Sequence, residues 1–169
     1  FCSKLLTEYG ADVIKLEPPD VGEETRRMGP FVGDDPYLDK SIPFLYLNTN
    51  KRGVTLNFGT PTGMKILTRL IVQADILIQN FTPSDSENLG LAFPLLNKLN
   101  PQLIVTSITS FDQTGPYRDL AATDIVTCAL SGLMYHSGDS DREPLRNALN
   151  QSFYVAGVNG AVATTAALF

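Results

Sequence analysis

The chain has 169 residues, of which 43% are hydrophobic and 18% are charged, and its formal net charge is -5. This length and composition are those of an ordinary globular domain that can bury one sizeable core. An acidic protein is disfavoured as a partner of nucleic acid or of an anionic membrane, because both attract basic surfaces, and no apolar run approaches the length of a membrane span.

The two cysteines, Cys2 and Cys128, lie far apart in the sequence. This usage is typical of a reducing compartment rather than of a disulfide scaffold. No signal-peptide pattern is visible. We therefore expect a cytoplasmic protein.

Helices are predicted at both ends. Phe1 to Tyr9 has the pattern of the last turns of a helix with Gly10 as its stop, and Gly157 to Phe169 has the pattern of a helix that has not ended. We therefore expect both ends to be truncated, so that residues 1–169 form a single α/β domain from a longer chain, without the strand and loop that would precede it.

Four short apolar or β-branched runs between the ends are predicted strands. They are Val13–Glu17, Val54–Asn57, Ile76–Asn80 and Leu103–Ser107. Their alternation with helical segments predicts a parallel sheet with flanking helices.

The clearest helix signal covers Pro61–Gln73, where apolar residues recur at helical spacing. Thr60 and Pro61 supply a capping hydroxyl and a first-turn proline. Shorter helices are predicted over Pro94–Leu99 and over Asp124–Tyr135, the latter capped by Thr123 or Asp124. Two segments rich in Gly, Pro and Asp are interpreted as long loops: Pro18 to Pro43 and His136 to Asn150.

Lys51 and Arg52 stand at the edge of a predicted strand beside Asn48 and Asn50. Basic and amide side chains at that edge can hold phosphate charge. The alternative interpretation is a solvated Lys–Arg pair, and spacing alone favours it.

Three further residues are weaker candidates. Glu17 closes the first predicted strand, where an acid can bind an adenosine ribose, but that site needs a glycine-rich turn that the chain does not contain. Cys128 and His136 are compatible with a nucleophile pair, although Cys128 also suits a small core position. With a single histidine and no cysteine pair, no metal site is predicted.

Several segments, taken together and in order, resemble the class III CoA-transferases of the CaiB/BaiF type, including the formyl-CoA transferase-like members. The segments are Ala11–Pro19, Asn48–Leu56, Ala74–Pro83, Leu89–Leu91, Asn100–Pro101, Ser107–Tyr117 and Ala129–Met134. The resemblance implies a Rossmann-like α/β large domain, an interlocked homodimer, and an acyl-CoA and a small carboxylic acid as substrates, with no permanently bound cofactor.

The resemblance also implies positions for coenzyme A. Leu56, Asn80 and Phe81 match residues that contact the CoA adenosine and pyrophosphate, and their types suit an apolar wall, an amide and an aromatic face. Three positions that hold basic residues in such members differ here: Pro18, Asn88 and Ala121. Phosphate binding would then depend on Lys51, Arg52 or residues outside this chain.

The largest departure is at the position of the family's nucleophilic aspartate, which Phe153 occupies. An aromatic ring cannot attack a thioester, and the neighbours that remain as candidates are Gln151, Ser152 and Tyr154. The racemase branch uses that same aspartate with a histidine where Thr123 stands, so racemisation is not predicted.

Two functions follow as alternatives. The first is a CoA-transferase with altered or impaired chemistry. The second is a non-catalytic CoA-binding or scaffolding unit, either a degenerate half of a longer chain or a subunit of a heteromeric enzyme. A fold does not fix the substrate, so the acyl group and the acceptor acid stay open.

Overall fold

The computed structural model describes residues 1–169. The helices are α1 Cys2–Glu8, α2 Ile42–Leu47, α3 Pro61–Gln73, α4 Pro83–Asn88, α5 Phe93–Leu99, α6 Asp124–Leu130 and α7 Gln151–Leu168, with short 3-10 helices at Glu24–Arg27 and Val32–Asp34. The strands are β1 Ile14–Glu17, β2 Arg52–Thr55, β3 Ile76–Gln79 and β4 Ile104–Ser107. None of the helices combines the length and apolar character needed to cross a membrane.

The chain divides into two compact units, residues 3–74 with Phe1 and residues 75–169 with Cys2. Each unit contains one parallel strand pair. In the first unit β1 pairs with β2, with Ile14 opposite Arg52. In the second unit β3 pairs with β4, with Ile76 opposite Ile104. The predicted α/β fold with parallel strands and flanking helices is confirmed.

Helix α3 has the predicted bounds and the predicted cap. The Thr60 hydroxyl accepts a hydrogen bond from the Gly63 N–H at 3.1 Å, and Pro61 occupies the first turn. Leu67 and Ile71 are buried on the inner face of the helix. The start of α3 also requires a glycine, because a Cβ at Gly63 would lie 1.8 Å from the Asn57 carbonyl oxygen.

In the second unit, α7 packs against β4 and α6. The hydroxyls of Thr106 and Thr164 are 2.6 Å apart, and a Cβ at Gly160 would lie 2.7 Å from the Ile108 side chain. Gly157 and Ala161 are buried on the same helix. The small side chains of α7 therefore allow close approach to β4.

Several predicted boundaries were wrong. The second strand lies at Arg52–Thr55, two residues before its predicted position. The predicted helix over Asp124–Tyr135 ends at Leu130, because Gly132 adopts a left-handed φ of 78°. Helix α7 begins at Gln151 instead of Gly157.

Two short helices were not predicted, α2 and α4. Each has the same start signal as α3. The Ser41 hydroxyl accepts a hydrogen bond from the Phe44 N–H at 3.3 Å, the Thr82 hydroxyl accepts one from the Asp85 N–H at 3.2 Å, and a proline stands in each first turn. The predicted loop from Pro18 to Pro43 therefore contains the first residues of α2 and both 3-10 helices.

Candidate functional site

The carboxyl end of β1 carries a buried ion pair. Glu17 is 7% exposed, and Arg26 donates to it twice, from Nε to Oε2 at 2.7 Å and from Nη2 to Oε1 at 3.0 Å. The Glu23 N–H donates to Oε2 at 2.9 Å. The Arg26 guanidinium also reaches Asp39 at 2.6 Å and lies 3.7 Å from the centre of the Phe44 ring.

These contacts shift the pKa values of both members of the pair. Hydrogen bonds from Arg26 hold the pKa of Glu17 below its ordinary value, and the same bonds raise the pKa of Arg26. Because Arg26 and the Glu23 N–H already occupy both carboxylate oxygens of Glu17, a ribose hydroxyl would have to compete with them, which disfavours Glu17 as a ribose-binding acid.

Lys15, also on β1, pairs with Glu23. Burial lowers the pKa of Lys15 to about 8, the charge of Lys51 adds to this effect, and the charge of Glu17 opposes it. A cavity of about 270 Å³ opens where β1 and β2 end, and its lining includes Pro18, Arg26 and Thr55.

Lys51 and Arg52, the basic pair in the first unit, form different hydrogen bonds. Arg52 is exposed and holds Asp12 with two hydrogen bonds, Nε to Oδ1 at 2.9 Å and Nη2 to Oδ2 at 2.5 Å. Lys51 donates to the Asn48 amide oxygen at 3.0 Å. A phosphate group would have to compete with the Asp12 carboxylate at Arg52.

Leu56 follows β2 directly in the same unit. It is 8% exposed, and its N–H donates to the Glu17 carbonyl at 2.9 Å. The hydrogen bond continues the register of β1 and β2 by one residue. Leu56 therefore lies at the carboxyl end of the strand pair.

In the second unit, Asn80 and Phe81 follow β3. Asn80 is exposed and Phe81 is half-buried. The preceding residue, Gln79, is 9% exposed, and its amide donates to Ser107 at the end of β4 at 3.1 Å and to Ser86 of α4 at 3.2 Å. This bonded cluster fixes the strand ends from which Asn80 and Phe81 project.

The segment after β4 returns to the start of α4. The Asp119 carboxylate accepts the Ser84 N–H at 2.8 Å, and this bond is the main reason that the pKa of Asp119 is lowered. Arg118 pairs with Asp119 at 3.0 Å and Glu87 at 3.5 Å. The same unit has a cavity of about 360 Å³ between the end of β4 and one side of α7.

Gln151 to Tyr154, the residues that the resemblance matches to the surroundings of the family's nucleophile, form the first turn of α7. Phe153 is 49% exposed. Gln151 donates through its amide to the Ala148 carbonyl at 3.1 Å, and Tyr154 is half-buried. Ser152 donates to Asp124 of α6, from Oγ at 2.6 Å and from its N–H at 3.0 Å, both to Oδ1.

The sequence identified Asp124 only as a possible cap of α6. In the structure Thr123 is the N-cap of α6 and Asp124 is the first helical residue. Asp124 is 3% exposed and binds the start of a different helix. The sequence pattern does not predict the contact between Asp124 and Ser152, because 28 residues separate them.

The two members of the proposed thiol pair lie in different environments. Cys128 is 1% exposed, whereas His136 is exposed and its ring contacts Tyr135 with centroids 5.4 Å apart. Cys128 is therefore a core residue of the second unit, and its interpretation as a nucleophile paired with His136 was wrong.

The sequence matches one protein family and is similar to curated proteins of known activity. The model of CoA-transferase family III matches residues 1–169. The succinyl-CoA–L-malate CoA-transferase beta subunit of Chloroflexus aurantiacus is 36% identical over 99% of this chain and 41% of its own length. The succinyl-CoA:(R)-benzylsuccinate CoA-transferase subunit BbsE of Thauera aromatica is 34% identical over 100% of this chain and 41% of its own length.

A solved structure is also similar to this chain. The CaiB/BaiF family protein of Brucella suis matches with a TM-score of 0.89 and 35% identity over 99% of this chain and 44% of that one. The chain thus spans about two-fifths of the length of the curated relatives, 41% in both cases given above.

Proposed function

The chain belongs to CoA-transferase family III, and on that premise we propose that the protein binds CoA thioesters and takes part in moving CoA between an acyl-CoA and a carboxylic acid. The family match over residues 1–169 carries the proposal. Several relatives are named as succinyl-CoA transferases, so succinyl-CoA is the donor to test first.

As residues that contact CoA we propose Leu56 and Lys51 in the first unit, with Arg52 as a weaker contributor, and Asn80 and Phe81 in the second unit. The supporting observation is their position just before or after strands, together with their chemistry. An exposed amide and a half-buried aromatic ring follow β3, and an ammonium group stands before β2. These groups suit a nucleotide with phosphates.

Calorimetry with CoA tests this site. Asn80→Ala and Phe81→Ala are each expected to weaken binding by about 1–3 kcal/mol, the cost of a lost hydrogen bond or ring contact. Asn97→Ala and Phe93→Ala are matched controls, because both residues are exposed on α5. Undetectable CoA binding, or full affinity in both test variants, would rule out the proposed site.

A second candidate is a non-catalytic CoA-binding subunit that supports an active partner. Two points support this candidate: the resemblance matches Phe153 to an acid of the family, and two relatives are named as subunits. We keep the homodimer and the cytoplasmic location as proposals. Native mass spectrometry of the purified protein distinguishes a homodimer from an assembly that requires another chain.

A further inference from the structure

Asp124 and Ser152 form a buried carboxylate–hydroxyl pair at the start of α7. Asp124 is 3% exposed, and its Oδ1 accepts the Ser152 hydroxyl at 2.6 Å and the Ser152 N–H at 3.0 Å. A distance of 2.6 Å lies within the range for a hydroxyl that donates to a carboxylate. The pair therefore has the geometry in which a carboxylate removes a proton from a serine.

The second oxygen of Asp124 is poorly compensated. Oδ2 is buried and accepts no hydrogen bond. The nearest cation is Arg146, whose Nη1 lies 3.9 Å away on a side chain that is 45% exposed. Buried polar atoms are normally hydrogen-bonded. An acceptor left open in this way is a costly arrangement for a residue that merely caps a helix.

The start of α7 also bears on the surroundings of Ser152. The N-cap residue Asn150 makes no side-chain hydrogen bond to the first turn. The positive end of this 18-residue helix is instead met by the Asp124 carboxylate, which accepts the Ser152 N–H.

We infer that Ser152 is a nucleophile and Asp124 its general base, so that the protein cleaves acyl-CoA thioesters through an acyl-serine. The inference rests on the CoA-thioester binding proposed above. The Ser152 Oγ forms a bond to the thioester carbonyl carbon, its proton passes to Asp124, and the carbon–sulfur bond breaks. The CoA thiolate leaves and takes up that proton. Water then hydrolyses the ester, which releases a carboxylic acid and restores Ser152.

The reaction differs from CoA transfer. A carboxylate nucleophile forms an anhydride, which is reactive enough to regenerate a thioester, whereas a serine ester is far less activated. Hydrolysis is therefore the expected fate of the acyl group. The residue beside Ser152, Phe153, has a side chain that takes no part in this chemistry.

Two substitutions separate catalysis from capping. Ser152→Ala keeps the backbone N–H that Asp124 accepts, so the helix start is retained. Asp124→Asn keeps an acceptor oxygen but removes the base. Ser131→Ala is the control, because the Ser131 hydroxyl donates to the Cys128 carbonyl at 3.1 Å and has no carboxylate partner among its hydrogen bonds.

The protein is incubated with acetyl-CoA and, separately, with p-nitrophenyl acetate, and the acetylated peptide is mapped by mass spectrometry. We expect acetyl-Ser152, lost in Ser152→Ala and formed about 100-fold more slowly in Asp124→Asn, as for removal of a general base. Ser131→Ala is expected to acetylate at the wild-type rate. Circular dichroism of each variant separates unfolding from loss of chemistry.

The outcomes for the two proposals are distinct. CoA binding with neither acetylation of Ser152 nor hydrolysis of acetyl-CoA overturns the serine chemistry and leaves the proposed function intact. Acetylation of Ser152 by p-nitrophenyl acetate without CoA binding supports Ser152 as a nucleophile but overturns both the proposed function and the cleavage of acyl-CoA thioesters. Acetylation at an unchanged rate in a folded Asp124→Asn variant overturns the role of Asp124 as the base.

Discussion

The ion pair between Glu17 and Arg26 allows a direct test of how burial sets the strength of a salt bridge. Glu17 is 7% exposed and Arg26 binds both of its oxygens, at 2.7 and 3.0 Å. Breaking one partner of a buried pair typically costs about 3–5 kcal/mol. Because the Arg26 side chain is 21% exposed, we expect the lower end of that range, about 3 kcal/mol, for Glu17→Gln.

The pair between Arg52 and Asp12 is a matched control with the same two-bond geometry. It uses Nε at 2.9 Å and Nη2 at 2.5 Å, but its side chains are 64% and 71% exposed. Exposed pairs contribute about 0–1 kcal/mol. Double-mutant cycles with Arg→Met and Asp→Asn or Glu→Gln, followed by urea unfolding and circular dichroism, give both coupling energies.

The pH dependence supplies an independent readout. Hydrogen bonds from Arg26 lower the pKa of Glu17 from its ordinary 4.5, so the folded state binds its proton less readily than the unfolded state does. The stabilisation is fully present above the unfolded pKa and is lost as the pH falls through the folded pKa. Glu17→Gln should therefore remove part of the acid destabilisation seen below pH 4.5. Equal coupling in the two pairs, or an unchanged acid profile, would refute this account.

Two further predictions concern α3 and α7. Gly63→Ala should destabilise the protein by more than about 3 kcal/mol, because its Cβ would overlap the Asn57 carbonyl. Gly53→Ala is the control: a Cβ there meets open space, so its stability should stay within about 1 kcal/mol of the wild type. Similar thermal melts for the two variants would contradict the close approach at Gly63. Phe153→Asp should keep its melting temperature, because the side chain is 49% exposed at a helix start. With succinyl-CoA it should form a hydroxylamine-sensitive adduct at residue 153, and a CoA-binding variant without that adduct would argue against this position as the nucleophile's.

The sequence predicted best where several local signals agreed. Helix α3 has a capping hydroxyl, a first-turn proline and a repeating apolar face, and its predicted bounds Pro61–Gln73 match the structure. Helices α2 and α4 have a similar cap and proline but only six residues each. Six residues do not make two full turns, so the apolar repeat that identifies a helix is missing. Their start signals were readable, but without a repeat they resemble turns.

The candidate site was predictable only where it depends on strand ends. Leu56 and Asn80 come directly after β2 and β3, which the apolar runs located to within two residues. The partners of charged groups were not predictable. Arg26 reaches Glu17 from nine residues away and Asp39 from thirteen, and Asp124 reaches Ser152 across 28. Such pairs depend on how loops fold back, which residue spacing does not encode.

The first turn of α7 is held in place independently of the side chain at residue 153. Its backbone is held from outside the helix, by the bond from the Ser152 N–H to Asp124, and this bond is independent of the side chain at residue 153. Phe153 is half exposed, so the phenyl ring contributes little to the core. The resemblance matches Phe153 to the family's nucleophilic aspartate, and a substitution there would alter the reacting group while leaving its support in place. A residue on that support, Ser152, already donates its hydroxyl to a buried carboxylate. A change of reaction at this site would thus require no change of fold.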